Sequence, residues 1–189
     1  MTEQLTTEQY TKLALRTESI PTELPYNHQA ILGLLTVMYH VSEILDAIKK
    51  KSYYYRDIDV ESIMEEHLVA IREIIGQDAN PFSVDPTIII TDQKRIRTFH
   101  GLIGILTESG ELASLFKNVL CGQDDVVNLK EELGDFNWYE AILCDTNDFT
   151  FDNVLARNIE KLAFRYKDKY SDFAANNRDV VTEYEILKE

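Results

Sequence analysis

The sequence predicts an all-α protein built as a helical bundle. Three observations carry that prediction. Apolar residues recur every three or four positions through most of the chain, several of these stretches open on a Ser, Thr or Asp capping signal, and only seven glycines and four prolines punctuate 189 residues.

Thr6, followed three residues later by Gln9, forms a capping box that opens a first helix with Tyr10, Leu13 and Ala14 on its apolar stripe and an end near Ser19. Pro21 and Pro25 then make an extended connection. Residues 28–51, HQAILGLLTVMYHVSEILDAIKKK, form a second helix whose closing lysines suit a helix C-terminus. Tyr53, Tyr54 and Tyr55 lead to Asp57 or Asp59 as the N-cap of a third helix, VESIMEEHLVAIREII, which Gly76 closes.

Residues 77–93 hold Pro81, Pro86 and a β-branched run at Ile88–Ile90, and read as a linker packed on the bundle with one short extended segment. A fourth helix runs from about Lys94 to Leu120 and is closed by Gly122. Asp124 or Asp125 opens a fifth that reaches about Asp145. Thr150 caps a sixth with Val154, Leu155, Ile159, Leu162 and Phe164 as apolar surface, and the polar tail ends in a short helix from Val180.

The length suits one compact all-α domain over residues 1–189. A net charge of −14, from 33 acidic and 19 basic residues, disfavours nucleic acid as a partner. The short basic runs at Lys49–Lys51 and Lys94–Arg97 read as solvated helix ends. Cys121 and Cys144 lack metal-ligand spacing, and no opening apolar stretch resembles a signal peptide, so the expectation is a cytoplasmic protein with reduced thiols. The expectation is that no apolar run approaches the roughly 20 residues a membrane span requires.

Chemistry concentrates in residues 100–139. Glu108 and Glu111 share one face of the fourth helix, and Glu132 and Asp135 share one face of the fifth, because side chains three apart are neighbours on a helix. Each pair interrupts an apolar run. Charges on core-facing stripes are rarely buried unless paired or bound to a metal, so the four carboxylates suggest a shared hard cation such as Mg²⁺. The plainer alternative is a solvated acidic face supported by i,i+4 pairs. No Walker loop, G-x-S-x-G, H-E-x-x-H or di-iron Glu-x-x-His pattern competes, and His28, His40, His67 and His100 read as capping or packing residues.

An internal echo is also visible. Residues 41–51 laid over 109–119 align Glu43 with Glu111 and Lys49 with Lys117; residues 59–69 laid over 125–135 align Asp59, Glu65 and Glu66 with Asp125, Glu131 and Glu132. His40 then stands where Glu108 does, and Val69 where Asp135 does. The reading is a degenerate helical hairpin at 28–76 that has lost half its carboxylates, and a metal-binding hairpin at 94–145.

TESGELASLFK followed by NLKEELGDFNWY resembles the MazG-like nucleoside triphosphate pyrophosphohydrolases of the all-α, dUTPase-like superfamily, phage and bacterial type, whose signature is E-x-x-E, a spacer, then E-x-x-D. YTKLALRTES and RNIEKLAFRYKDKYSDFAANNRD resemble the flanks of such proteins. The resemblance implies a four-helix core and Mg²⁺-dependent (Mn²⁺ as a substitute) hydrolysis of a nucleoside triphosphate to monophosphate and pyrophosphate. Glu108, Glu111, Glu132 and Asp135 would hold the metals. It further implies phosphate contacts from Lys117, Lys130, Asn158, Lys161 and Arg165, and a base pocket lined by Trp138 and Tyr139. Relatives build their bundle from two subunits, so the expectation is a homodimer, or a pseudo-dimer in which the inactive hairpin takes part of the second subunit's place. The competing function is a catalytically reduced helical module that senses nucleotides or binds a protein partner.

Overall fold

A computed structural model describes residues 5–76, 87–167 and 169–188. Among these are eight α-helices: α1 Thr7–Ala14, α2 His28–Tyr54, α3 Val60–Ile75, α4 Gln93–Leu120, α5 Val126–Thr146, α6 Phe151–Tyr166, α7 Asp172–Asn176 and α8 Val180–Lys188. The all-α expectation is met. The chain divides into two compact units, residues 24–90 and the remainder.

Capping chemistry sets the helix starts. Thr6 and Gln9 make the reciprocal capping box before α1, and Asp59, Asp125 and Thr150 each accept a hydrogen bond from the backbone N–H three residues on, before α3, α5 and α6. Asp59 rather than Asp57, and Asp125 rather than Asp124, are therefore the caps. Gly122 follows α4 at φ 74°, a left-handed conformation that a residue without Cβ adopts readily.

In the unit 24–90, α2 packs on α3, and a two-stranded antiparallel ladder joins β1 Leu24–Asn27 to β2 Thr87–Ile90, with Leu24 opposite Ile90. The extended segment at Ile88–Ile90 was expected; its pairing with the Pro25 segment was not. Residues 77–86 of the expected linker lie outside the described residues. The stretch Ala30–Ser52 of α2, with mean hydropathy 1.5, is long and apolar enough to cross a membrane by length and composition, which corrects the expectation that no such run exists. Glu43 and Asp46 break the run to the eye, but two charges in a long apolar window do not lower its mean enough.

In the other unit, α4 and α5 form the principal helix pair, with α1 against α5 and α8 against α6. Ala14, Ala141, Cys144 and Phe151 make a core cluster, flanked by Tyr10, Trp138 and Val154. Burial and the nearby Glu140 carboxylate push the Cys144 thiol up to about 11, so it stays a packed, protonated thiol at neutral pH. Arg97 ties three segments together: it donates to both carboxylate oxygens of Glu18, at 2.8 and 2.7 Å, and pairs with Asp145 at 2.6 Å. The short α7 was not anticipated, because a five-residue helix offers too few positions to show a period.

Candidate functional site

The close approach of α4 to α5 begins with two glycines. A Cβ added at Gly104 would stand 2.1 Å from the Tyr139 ring, and one at Gly101 would stand 2.7 Å from the Leu143 side chain. Only a residue without a side chain lets the Tyr139 ring lie against α4 at this level. One turn further along α4 is Glu108, and across on α5 is Glu132.

Glu108 and Glu132 are buried, with 8% and 4% of their surface exposed, whereas Glu111 is exposed. Each of the three offers a carboxylate oxygen, and these oxygens all lie within 4.8 Å of one another. Burial and the charges of Glu111 and Glu108 raise the Glu132 pKa, partly opposed by the Asn128 amide, which donates to Glu132 Oε1 at 3.0 Å. Asn128 also receives the Asp125 cap at its backbone N–H. The α5 start is thus coupled to the orientation of Glu132, a link whose sequence signal was the i,i+4 spacing of Asn128 and Glu132.

Asp135 stands outside this group of three and is exposed on α5. Its charge still reaches the same neighbourhood: burial raises the Tyr139 phenol, and Glu108, Asp135 and Glu111 add to the shift. Tyr10 of α1 is raised likewise, by burial and then by Asp135 and Glu140, and its hydroxyl donates to the Gly134 carbonyl at 3.3 Å. Tyr10 and Asn128 are neighbours of the carboxylates that pattern reading did not single out.

The remaining candidates divide by surroundings. Trp138, Tyr139 and His100 form an edge-on aromatic cluster, with the Trp138 and Tyr139 centroids 4.8 Å apart. The Trp138 indole N–H donates to the Ala14 carbonyl and to Thr17 Oγ1, both at 3.0 Å. Lys117 and Lys130 are exposed on α4 and α5. Asn158 and Lys161 line a surface cavity of about 800 Å³ with Arg157, Thr150 and Lys188. Arg165 instead faces Glu183 of α8 in a bidentate pair at 2.7 and 2.5 Å.

The donor set fits a hard divalent cation. All three candidate donors are carboxylate oxygens, two of them on buried residues, and their mutual repulsion is what a cation would offset. Magnesium and its close relatives prefer such oxygen sites, whereas softer ions call for nitrogen or sulfur.

Residues 99–170 match the family model described as the MazG nucleotide pyrophosphohydrolase domain. That interval contains α5, α6 and most of α4, with every carboxylate and polar residue singled out above for metal or substrate. The Gene 37 protein of Mycobacterium phage L5 is 37% identical over 73 residues, which cover 35% of this chain and 63% of that protein. No solved structure matches the chain.

Proposed function

We propose that this chain, through the MazG domain at residues 99–170, hydrolyses a nucleoside triphosphate to the monophosphate and pyrophosphate in the presence of Mg²⁺ or Mn²⁺. The observation that carries the reading is the group of Glu108, Glu111 and Glu132 oxygens within 4.8 Å of one another, inside the interval that matches the family. These three residues hold the metal, and Asp135 completes the set from the next turn of α5. A cation bound there supplies neutralisation of phosphate charge and a more acidic water.

The chain's own residues supply position. Asn128 fixes Glu132, so the carboxylates keep one geometry before substrate arrives. Lys117, Lys130, Asn158 and Lys161 are the phosphate-contacting residues in this reading. Arg165, held by Glu183, acts on phosphate from a fixed guanidinium or through the placement of α6. Tyr139 and Trp138 offer ring faces to the base; the Trp138 N–H already has two acceptors, so its contribution is stacking rather than hydrogen bonding.

The substrate is a free nucleotide in the cytoplasm, of the host where a phage encodes the chain, and neither nucleic acid nor membrane is a partner in this proposal. Two features support the degenerate-hairpin reading. Asp59 and Asp125, aligned in the echo, cap α3 and α5 in the same way, and Ala47 and Leu115, aligned likewise, are both buried. The association proposed with this reading is a homodimer or an intramolecular pseudo-dimer with one site per chain.

The test is a panel of canonical, deoxy and modified triphosphates with purified protein and Mg²⁺, reading pyrophosphate against orthophosphate. Pyrophosphate release that Glu111→Gln and Asp135→Asn abolish is the expected result. Nucleotide binding without turnover, unaffected by either substitution, would replace this reading with the reduced sensing or protein-binding module.

A further inference from the structure

The α2–α3 hairpin carries a pair of imidazoles that the carboxylate site does not use. His40 Nδ1 and His67 Nδ1 stand 2.8 Å apart, with ring centroids at 5.1 Å, and both residues are half-buried. Tyr39 closes one side, edge-on to both rings at 5.3 and 6.4 Å. At this separation one Nδ1 must carry a proton and the other must accept it. Moving that proton to the far ring nitrogen leaves two lone pairs turned toward the same small space.

Position in the hairpin gives the pair its meaning. In the register that lays 41–51 over 109–119, His40 falls on Glu108 and Glu43 falls on Glu111; in the companion register His67 follows Glu66, which falls on Glu132. The nitrogens thus occupy the level of the hairpin where the other copy gathers its carboxylates.

We propose that His40 and His67 form a second cation site, with solvent completing the coordination, selective for first-row transition ions that favour imidazole, and that its ion staples α2 to α3. With metal–nitrogen bonds of about 2.0–2.1 Å, nitrogens 2.8 Å apart subtend roughly 85° at the metal. That is close to the right angle of tetragonal or octahedral coordination, which suits Ni²⁺ or Cu²⁺; a tetrahedral Zn²⁺ site would need the nitrogens to part to about 3.3 Å. On the degenerate-hairpin reading, this position offers softer donors where the other hairpin offers carboxylates.

The experiment is calorimetric titration of the full chain with Ni²⁺ in excess Mg²⁺, which occupies the carboxylate site, alongside thermal melts with and without Ni²⁺. His40→Phe and His67→Phe keep a ring against Tyr39 and remove the nitrogens, and circular dichroism checks that each folds. The expected result is one Ni²⁺ bound per wild-type chain, at least tenfold weaker binding in either Phe variant, and wild-type Ni²⁺ binding in Glu111→Gln. Ni²⁺ should also raise the wild-type melting temperature and leave the variants unmoved. Absence of Ni²⁺ binding by the wild type, or equal binding by folded His67→Phe, would overturn the proposal. Neither outcome touches the pyrophosphohydrolase reading, which is read by turnover.

Discussion

Glu108, Glu111 and Glu132 crowd three like charges into one group, an arrangement that disfavours the folded chain until a cation or a proton joins it. Glu111→Gln removes one of those charges at an exposed position. The apo protein should then melt at a higher temperature than wild type, lose the upward shift that Mg²⁺ gives wild type, and lose turnover by about 10²-fold or more. Scanning calorimetry with and without Mg²⁺ separates the stability effect from the catalytic one. Gly104 behaves in the opposite way. Alanine there gains about 1 kcal/mol in helix propensity but sets its Cβ 2.1 Å from the Tyr139 ring, so a net loss of about 1–3 kcal/mol is expected in denaturant unfolding. The carboxylates were legible in the sequence because a helix turns spacing into a shared face. Gly104 was not, because nothing in a single chain segment says which ring will lie across from it, and Asn128 was passed over because an amide one turn from an acid is common on any helix.

At the scale of elements, α8 is fastened to α6 by one carboxylate. Glu183, 2% exposed, receives both Arg165 and Arg178, and these guanidiniums hold its carboxyl down at about 2, below an ordinary value of 4.5. Because the folded pKa lies below the unfolded one, this contribution to stability is complete above pH 4.5 and is lost as the pH falls toward 2. Denaturant midpoints measured across that window should fall more steeply for wild type than for Glu183→Gln, which itself should cost about 2–3 kcal/mol at neutral pH. Gly110 offers a contrasting test on α4, since a Cβ there meets nothing within 4 Å; Gly110→Ala should stabilise the protein by about 0.5–1 kcal/mol in the same assay. Helix boundaries followed from caps that the sequence displays, such as Thr6 with Gln9 and Thr150. The β1–β2 ladder did not, since it joins Leu24 to Ile90 across more than 60 intervening residues and one of its strands contains Pro25.

For the whole molecule, the unit 24–90 leaves and rejoins the chain at one place. The Gln93 side-chain amide donates to the carbonyls of Pro21 and Thr22 at 3.2 Å, and Leu24 pairs with Ile90. Chain ends that meet in this way let a segment be removed with little strain on what remains. Replacing residues 24–90 by a short glycine linker should leave the helical spectrum of the other unit and its Mg²⁺ binding in place. If the hairpin stands in for a second subunit, light scattering should show the shortened chain pairing with itself while the full chain does not; equal association states for both would count against the pseudo-dimer. The grouping of the described helices into the units 24–90 and the remainder was not legible from length and composition. It depends on which helices pair, and amphipathic stripes alone leave that choice open.

Trp138, the only tryptophan in the chain, is three residues beyond Asp135 and reaches the Ala14 carbonyl and Thr17 with its indole N–H. All of the indole fluorescence therefore arises at the joint between the first helix and the carboxylate-bearing one. Light emitted from that single ring becomes an unlabelled gauge of whether the N-terminal segment is seated, readable in real time while nucleotide or metal is added.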